Sequence, residues 1–196
     1  MKKIISLLII MIIGFSANLS SEENQTIKRI SEGKKNAKIT IITYESLTCG
    51  HCADFHENVY PGLKKDFIDR GLVRIEFRHF PLDIAAFNAS KISQCNNDGK
   101  SDLMHILYSG QKEWANGKTP EKATANLRKF LADENVNLNF EECLADKDIE
   151  DYVLNDRIEG VKKFKVNATP TIIINDKKFD KALNYKNLKK YLEKLI

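Results

Sequence analysis

The chain has 196 residues, a formal net charge of +4 and four cysteines. Loss of the lysines at 2 and 3 with a leader would leave about +2, too small a surplus to argue for nucleic-acid binding. The remaining length suits one well-buried domain or a domain with a sizeable insertion, and no internal repeat or low-complexity run divides it.

Met1-Lys2-Lys3 and the apolar run Ile4 to Ile13 read as a secretory signal over residues 1–20, because the run is short for a permanent membrane span. An uncleaved tether is the alternative. Residues 21–36 are polar and charged, and they predict an exposed lead-in with at most a short helix around Thr26 to Ile30. Such a lead-in leaves no room for an N-terminal dimerisation module, so a monomer is expected.

Ile39 to Tyr44 is rich in β-branched and aromatic residues and reads as a buried strand, while the stretch from Ala53 onward has helical periodicity. Cys49-Gly50-His51-Cys52 therefore sits at a strand-to-helix corner. At the helix N-cap, unpaired backbone N–H groups and the helix dipole favour a thiolate at Cys49, and a protonated His51 would favour it further. Cys52, one turn into the helix, is expected to be the more buried. The spacing Cys49-x2-Cys52-x3-His56 also allows part of a zinc site, and two inert buried cysteines are the third reading. A redox-active dithiol is favoured, because no second Cys-x-x-Cys completes a zinc site and the pair opens a helix.

The helix is expected to run toward Arg70, kinked by Pro61 and stopped at Gly71. Leu72 to Phe80 alternates apolar and charged residues as a half-buried strand, giving a strand, helix and strand order. Asp83 to about Gly160 predicts four or five helices, with breaks near Asp98-Gly99, Asn116-Gly117 and residues 135–139. Helix starts are expected at Pro120-Glu121 and at Phe140. Thr171 to Ile174 returns to strand character, followed by an Asn175-Asp176 turn, a brief strand over Lys178 and Phe179, and a helix from Asn184 to Leu195. His79 and His105 read as strand-face and helix-surface residues, Trp114 as packing between helices, and the C-terminal lysines as a solvated face.

Four ordered motifs carry a resemblance: Ser46-Leu47-Thr48-Cys49-x-His51-Cys52-Ala53-x-Phe55-His56, Arg78-His79-Phe80-Pro81-Leu82-Asp83, Phe140-x-x-Cys143-Leu144 and Val166-x-x-Thr169-Pro170-Thr171. From about Ala37 onward the chain resembles the DsbA-type thiol:disulfide oxidoreductases of the thioredoxin superfamily, in particular their alphaproteobacterial branch. The resemblance implies an α/β thioredoxin fold, with residues 37–82 and 161–196 as the thioredoxin domain and 83–160 as a helical insertion. It implies that Cys49 is the attacked sulfur and Cys52 the resolving one, with His51 tuning them. Thr169 would stand before a cis-Pro170 beside the sulfurs.

The resemblance also implies that Cys95 and Cys143 form a structural disulfide in the insertion; two buried cysteines that never bond are the alternative. No cofactor and no metal are implied. Partners would be reduced, unfolded exported proteins in the periplasm and a quinone-linked, DsbB-like membrane oxidase. Three departures stand out: Gly50 replaces the usual proline, Thr43 replaces a buried Glu six residues before the first cysteine, and Asn175-Asp176 replaces an Asn-Gly turn. Net oxidation of clients is the expected function. A periplasmic isomerase or reductase, to which the Gly50-His51 dipeptide points, and a Cys/His metal-binding protein are the alternatives.

Overall fold

The computed structural model describes residues 26–196, so the signal read over residues 1–20 lies outside the described residues. Strand β1 (Ser31–Glu32) leads to β2 (Ile39–Glu45), and a helical run then crosses to β3 (Val73–His79). Six helical segments follow: α3 (Ile84–Gln94), α4 (Asp102–Ser109), α5 (Gln111–Trp114), α6 (Pro120–Asp133), α7 (Phe140–Ala145) and α8 (Lys147–Phe164). The chain closes with β4 (Thr171–Ile174), β5 (Lys177–Lys178) and α9 (Tyr185–Leu192). The sheet order is β1-β3-β2-β4-β5, with β2 and β3 parallel and the other pairs antiparallel. This is the thioredoxin-like α/β fold with helices inserted between β3 and β4.

Strand β2 alternates between two cores. Ile39 and Ile41 join the main cluster with Phe55 and Cys52, whereas Ile42 and Tyr44 join Phe80, Val166 and Ile173 on the opposite face. By the two-residue period of a strand, Thr43 and Glu45 therefore point with Ile39 and Ile41 toward the cysteines. Helix α8 covers the opposite face, where a Cβ on Gly160 would lie 2.7 Å from the Tyr44 ring.

The helical run that follows β2 comprises α1 (Gly50–Asp54), a π-helical turn (Phe55–Val59), α2 (Tyr60–Leu63) and a second π-helical turn (Lys64–Ile68). Pro61 has no N–H to give Glu57, and its ring would strike that carbonyl; the widened turn just before it, closed by Tyr60 N–H on the Phe55 carbonyl, accommodates both. Gly71 ends the run at φ +73°. Side-chain caps start α3 (Asp83 on Ala86 N), α6 (Thr119), α7 (Asn139), α8 (Asp146) and α9 (Asn184), each stabilising by about 1 kcal/mol.

Four expectations are corrected. The lead-in is not wholly exposed. Ile30 is 2% exposed, β1 pairs with β3, and Arg29 forms an ion pair with Asp156 of α8 at 2.5 Å. The inserted segments number six, because Gly110 separates α4 from α5 and Asp146 separates α7 from α8. Helix α8 continues through Gly160 to Phe164, so a boundary at 160/161 falls inside a helix; it stops where Lys165 turns left-handed at φ +53°. The last hairpin strand is Lys177–Lys178, one residue earlier than expected, because Asn175 and Asp176 both take positive φ and close a two-residue turn.

Candidate active site

Cys49 occupies the N-cap of α1, with an extended backbone at φ −80° and ψ 118°, and its carbonyl accepts from the N–H groups of Cys52 and Ala53. Its position follows from the local sequence: β2 ends at Glu45, a turn closes from Ser46 to Cys49, and α1 begins at Gly50. Both cysteines are free thiols; Cys49 is partly exposed and Cys52 is fully buried. The Cys49 thiol is lowered to about 5. A hydrogen bond from Cys52 is the main cause, outweighing burial, and Thr169 and the backbone N–H groups of Cys52 and His51 add to it. Burial pushes Cys52 strongly the other way, and the nearby charge of Glu45 adds to that rise.

Opposite the sulfurs, the Thr169–Pro170 bond is cis, and the Thr169 carbonyl lies 3.4 Å from Cys49 Sγ. A groove of about 270 Å³ runs between the two, lined by His51, Asp54, Phe55, Thr169, Pro170 and Leu183. Gln111 of α5, unsuspected from the sequence, donates to the carbonyls of Leu47 at 2.8 Å and Cys49 at 3.1 Å, fixing the corner from the insertion side. Asp83 ties Thr48 to the start of α3 through a 2.7 Å hydrogen bond while capping that helix. Two N-terminal thiols held this way, one acidic and open and one buried, are suited to thiol-disulfide exchange.

The thioredoxin family matches residues 25–194. The chain belongs to the DsbA-type thiol:disulfide oxidoreductases of the thioredoxin family. The crystal structure of Wolbachia pipientis alpha-DsbA1 superposes with a TM-score of 0.76 at 30% identity, covering 85% of this chain and 90% of that one. Disulfide bond formation protein D of Bacillus subtilis is 27% identical over 83% of this chain and 74% of its own length. A putative protein-disulfide oxidoreductase of Rickettsia bellii is 26% identical over 82% of this chain and 61% of its own length.

In this DsbA-type chain the helices between β3 and β4 carry a second cysteine pair. Cys95 and Cys143 are joined in a disulfide whose Cα atoms are 5.4 Å apart, linking the end of α3 to α7. This DsbA-type chain does not bring Cys49, Cys52 and His56 together as ligands. The His56 ring places Nε2 2.6 Å from Glu45 Oε2 and Nδ1 3.1 Å from His105 Nδ1. Among the described residues no group of three or more His, Cys, Asp or Glu side chains converges as metal ligands.

His105 is not a plain surface residue of α4, since its Nε2 lies 3.0 Å from Glu32 Oε1. His79 is buried, with Nε2 3.3 Å from Gln94 Oε1, and burial lowers its pKa. Trp114 is fully buried and donates to the Leu107 carbonyl at 2.8 Å. The one sequence signal for the histidine cluster is Glu45 itself, an acid at an inward position of an apolar strand.

Proposed function

We propose that this chain oxidises the thiols of exported client proteins in the periplasm through Cys49-Gly50-His51-Cys52. The observation that carries the reading is the opposed environment of two cysteines three positions apart: Cys49 favours the thiolate and Cys52 the thiol. A client thiolate attacks Cys49 Sγ, the Cys49–Cys52 bond breaks, and Cys52 departs and takes up a proton. A second client thiolate then attacks the client sulfur and expels Cys49 as its stable thiolate. Two client thiols lose two electrons, and the enzyme dithiol gains them. His51 and Gly50 shape the helix start, while Thr169 and Pro170 form the far wall where an extended client segment would lie. The exposed side chains of Leu82 and Ile84, flanking Asp83, supply an apolar rim for unfolded chain.

A DsbB-like membrane oxidase would restore the disulfide by the same exchange. The leader over residues 1–20 would place the enzyme in the periplasm, and no helix of the described residues is long and apolar enough to cross a membrane. The Gly50-His51 dipeptide favours a second reading, an isomerase or reductase. Gly50 is not imposed by crowding, because a Cβ there would meet nothing within 4 Å. The reduction potential, measured by equilibration with glutathione, separates the two. A value toward about −120 mV is expected for the oxidant, and one near −270 mV would reverse the direction of transfer.

A further inference from the structure

We propose that the outward ridge of α8 is a self-complementary surface, on which two copies of this chain pair as antiparallel helices about a twofold axis at Ile158.

Among the described residues, and apart from Ile196 at the chain end, large apolar side chains stand exposed in two places. Leu82 and Ile84 form the client rim. Leu154, Ile158 and Val161 all lie on α8 and are 40%, 46% and 45% exposed. Their i, i+4, i+7 spacing sets them in one row along the helix. The row faces away from the sheet, because the buried residues of α8 are Ile149, Val153, Asp156 and Gly160. A helix face that met only water would carry polar residues there.

The charges at the ends of the row decide what covers it. Asp151 stands one turn before Leu154, and Lys165 stands one turn after Val161 with Lys162 beside it. All three are exposed and form no ion pair among the described residues, whereas Glu150, Asp156, Glu159 and Lys163 of α8 each form one. The row therefore runs from an acid through three apolar side chains to a base. Two copies laid parallel would set like charge on like charge at both ends. Laid antiparallel with the two Ile158 side chains in contact, Leu154 comes level with the partner's Val161, and Asp151 with the partner's Lys165. The two helix dipoles then oppose each other as well. In the single chain Lys165 Nζ rests 3.2 Å from the Lys162 carbonyl, and rotation of its flexible stem carries it to the partner's Asp151. An anionic membrane surface would repel Asp151, and an unfolded client has no fixed order of charges to match.

The short lead-in argued for a monomer because it leaves no room for a dimerisation module; a face of α8 needs none. Helix α8 covers the side of the sheet opposite the cysteines, so a pair formed through it leaves both dithiols on its outer sides. Three apolar side chains per copy make a small contact, below the about 1,200 Å² typical of stable complexes, so the pair forms and dissociates with concentration.

The test is sedimentation velocity of the full chain from about 10 µM to about 1 mM. The mean mass of the wild type is expected to rise from one chain toward two. Ile158→Glu sets two carboxylates against each other on the axis and should stay monomeric, while exchanging with oxidised glutathione at the wild-type rate. Asp151→Lys and Lys165→Asp should each weaken association by about 10-fold, because each places like charges at both ends of the pair. Mixed in equal amounts, these two variants should pair with each other as well as the wild type does, since every end contact between them joins opposite charges. A wild type that stays monomeric throughout, association that Ile158→Glu leaves unchanged, or a mixture that pairs no better than its components would each overturn the proposal. Binding of the wild type, but not of Ile158→Glu, to phosphatidylglycerol vesicles in place of dimerisation would assign the row to a membrane surface and overturn it too.

Discussion

Cys49 and Cys52 share one side-chain chemistry, and their difference comes from position: one sits at a helix N-cap and is partly exposed, the other is buried in the core. That difference was legible in the sequence, because N-cap placement is a local property of a strand followed by helical periodicity. It has a pH signature. The Cys49 thiol stands at about 5 in the folded chain against an unperturbed 9, so the native state prefers the thiolate. The reduced protein therefore gains stability relative to its unfolded chain as pH rises from about 5 toward 9, and loses it as pH falls through 5. The disulfide form has no such group. Urea unfolding of both forms between pH 4 and 8 should show the reduced form gaining on the oxidised one across this range. Reduced Cys49→Ala should lack the slope, and a wild-type difference independent of pH would contradict the assigned thiolate. Glu45 was less legible. Its inward position could be read from the alternation of β2, but its partner His56 in turn meets His105 of α4, and no local pattern connects the two histidines.

The elements that the sequence showed clearly carry strong patterns: β3 and α6 bury one periodic face, while β2 and β4 are nearly continuous buried runs rich in β-branched residues. The missed ones are short or are decided by tertiary contact. Two-residue β1 has no periodicity of its own and exists because Ile30 enters the core and β3 offers an open edge. Gly160 looked like the end of a helix and instead lies within α8, packed against the Tyr44 ring of β2. Tyr44 there is fully buried, with Phe80 and Phe164 around its ring, so it has no room to retreat. Ordinary helix propensity makes Gly→Ala favourable by up to about 1 kcal/mol. At position 160 the added methyl would lie 2.7 Å from that ring, and the overpacking penalty of about 1–3 kcal/mol should dominate. Gly160→Ala is expected to lower the urea midpoint with an unchanged m-value. A raised midpoint would mean that α8 stands further from the sheet than the packing of Tyr44 requires.

Across the whole molecule, the insertion is both a lid on the core and a brace for the dithiol corner. Gln111 grips the Leu47 and Cys49 carbonyls, and His105 meets His56 of the helical run that Cys49 opens, so the geometry of the dithiol corner depends on the inserted helices. The Cys95–Cys143 disulfide closes a loop of 48 residues that contains α4, α5 and α6, the segments bearing both side chains. Closing a loop of that length removes unfolded-chain entropy equivalent to about 4 kcal/mol. Because the effect acts mainly on the unfolded ensemble, it should leave the native dithiol as it is. The Cys95→Ala/Cys143→Ala variant is therefore expected to unfold at a markedly lower urea midpoint while keeping the wild-type reduction potential of Cys49 and Cys52. If the variant instead kept its midpoint and lost exchange with a reduced client, the second pair would be passing electrons to or from the first. The disulfide would then be part of the reaction and not of the frame that holds it.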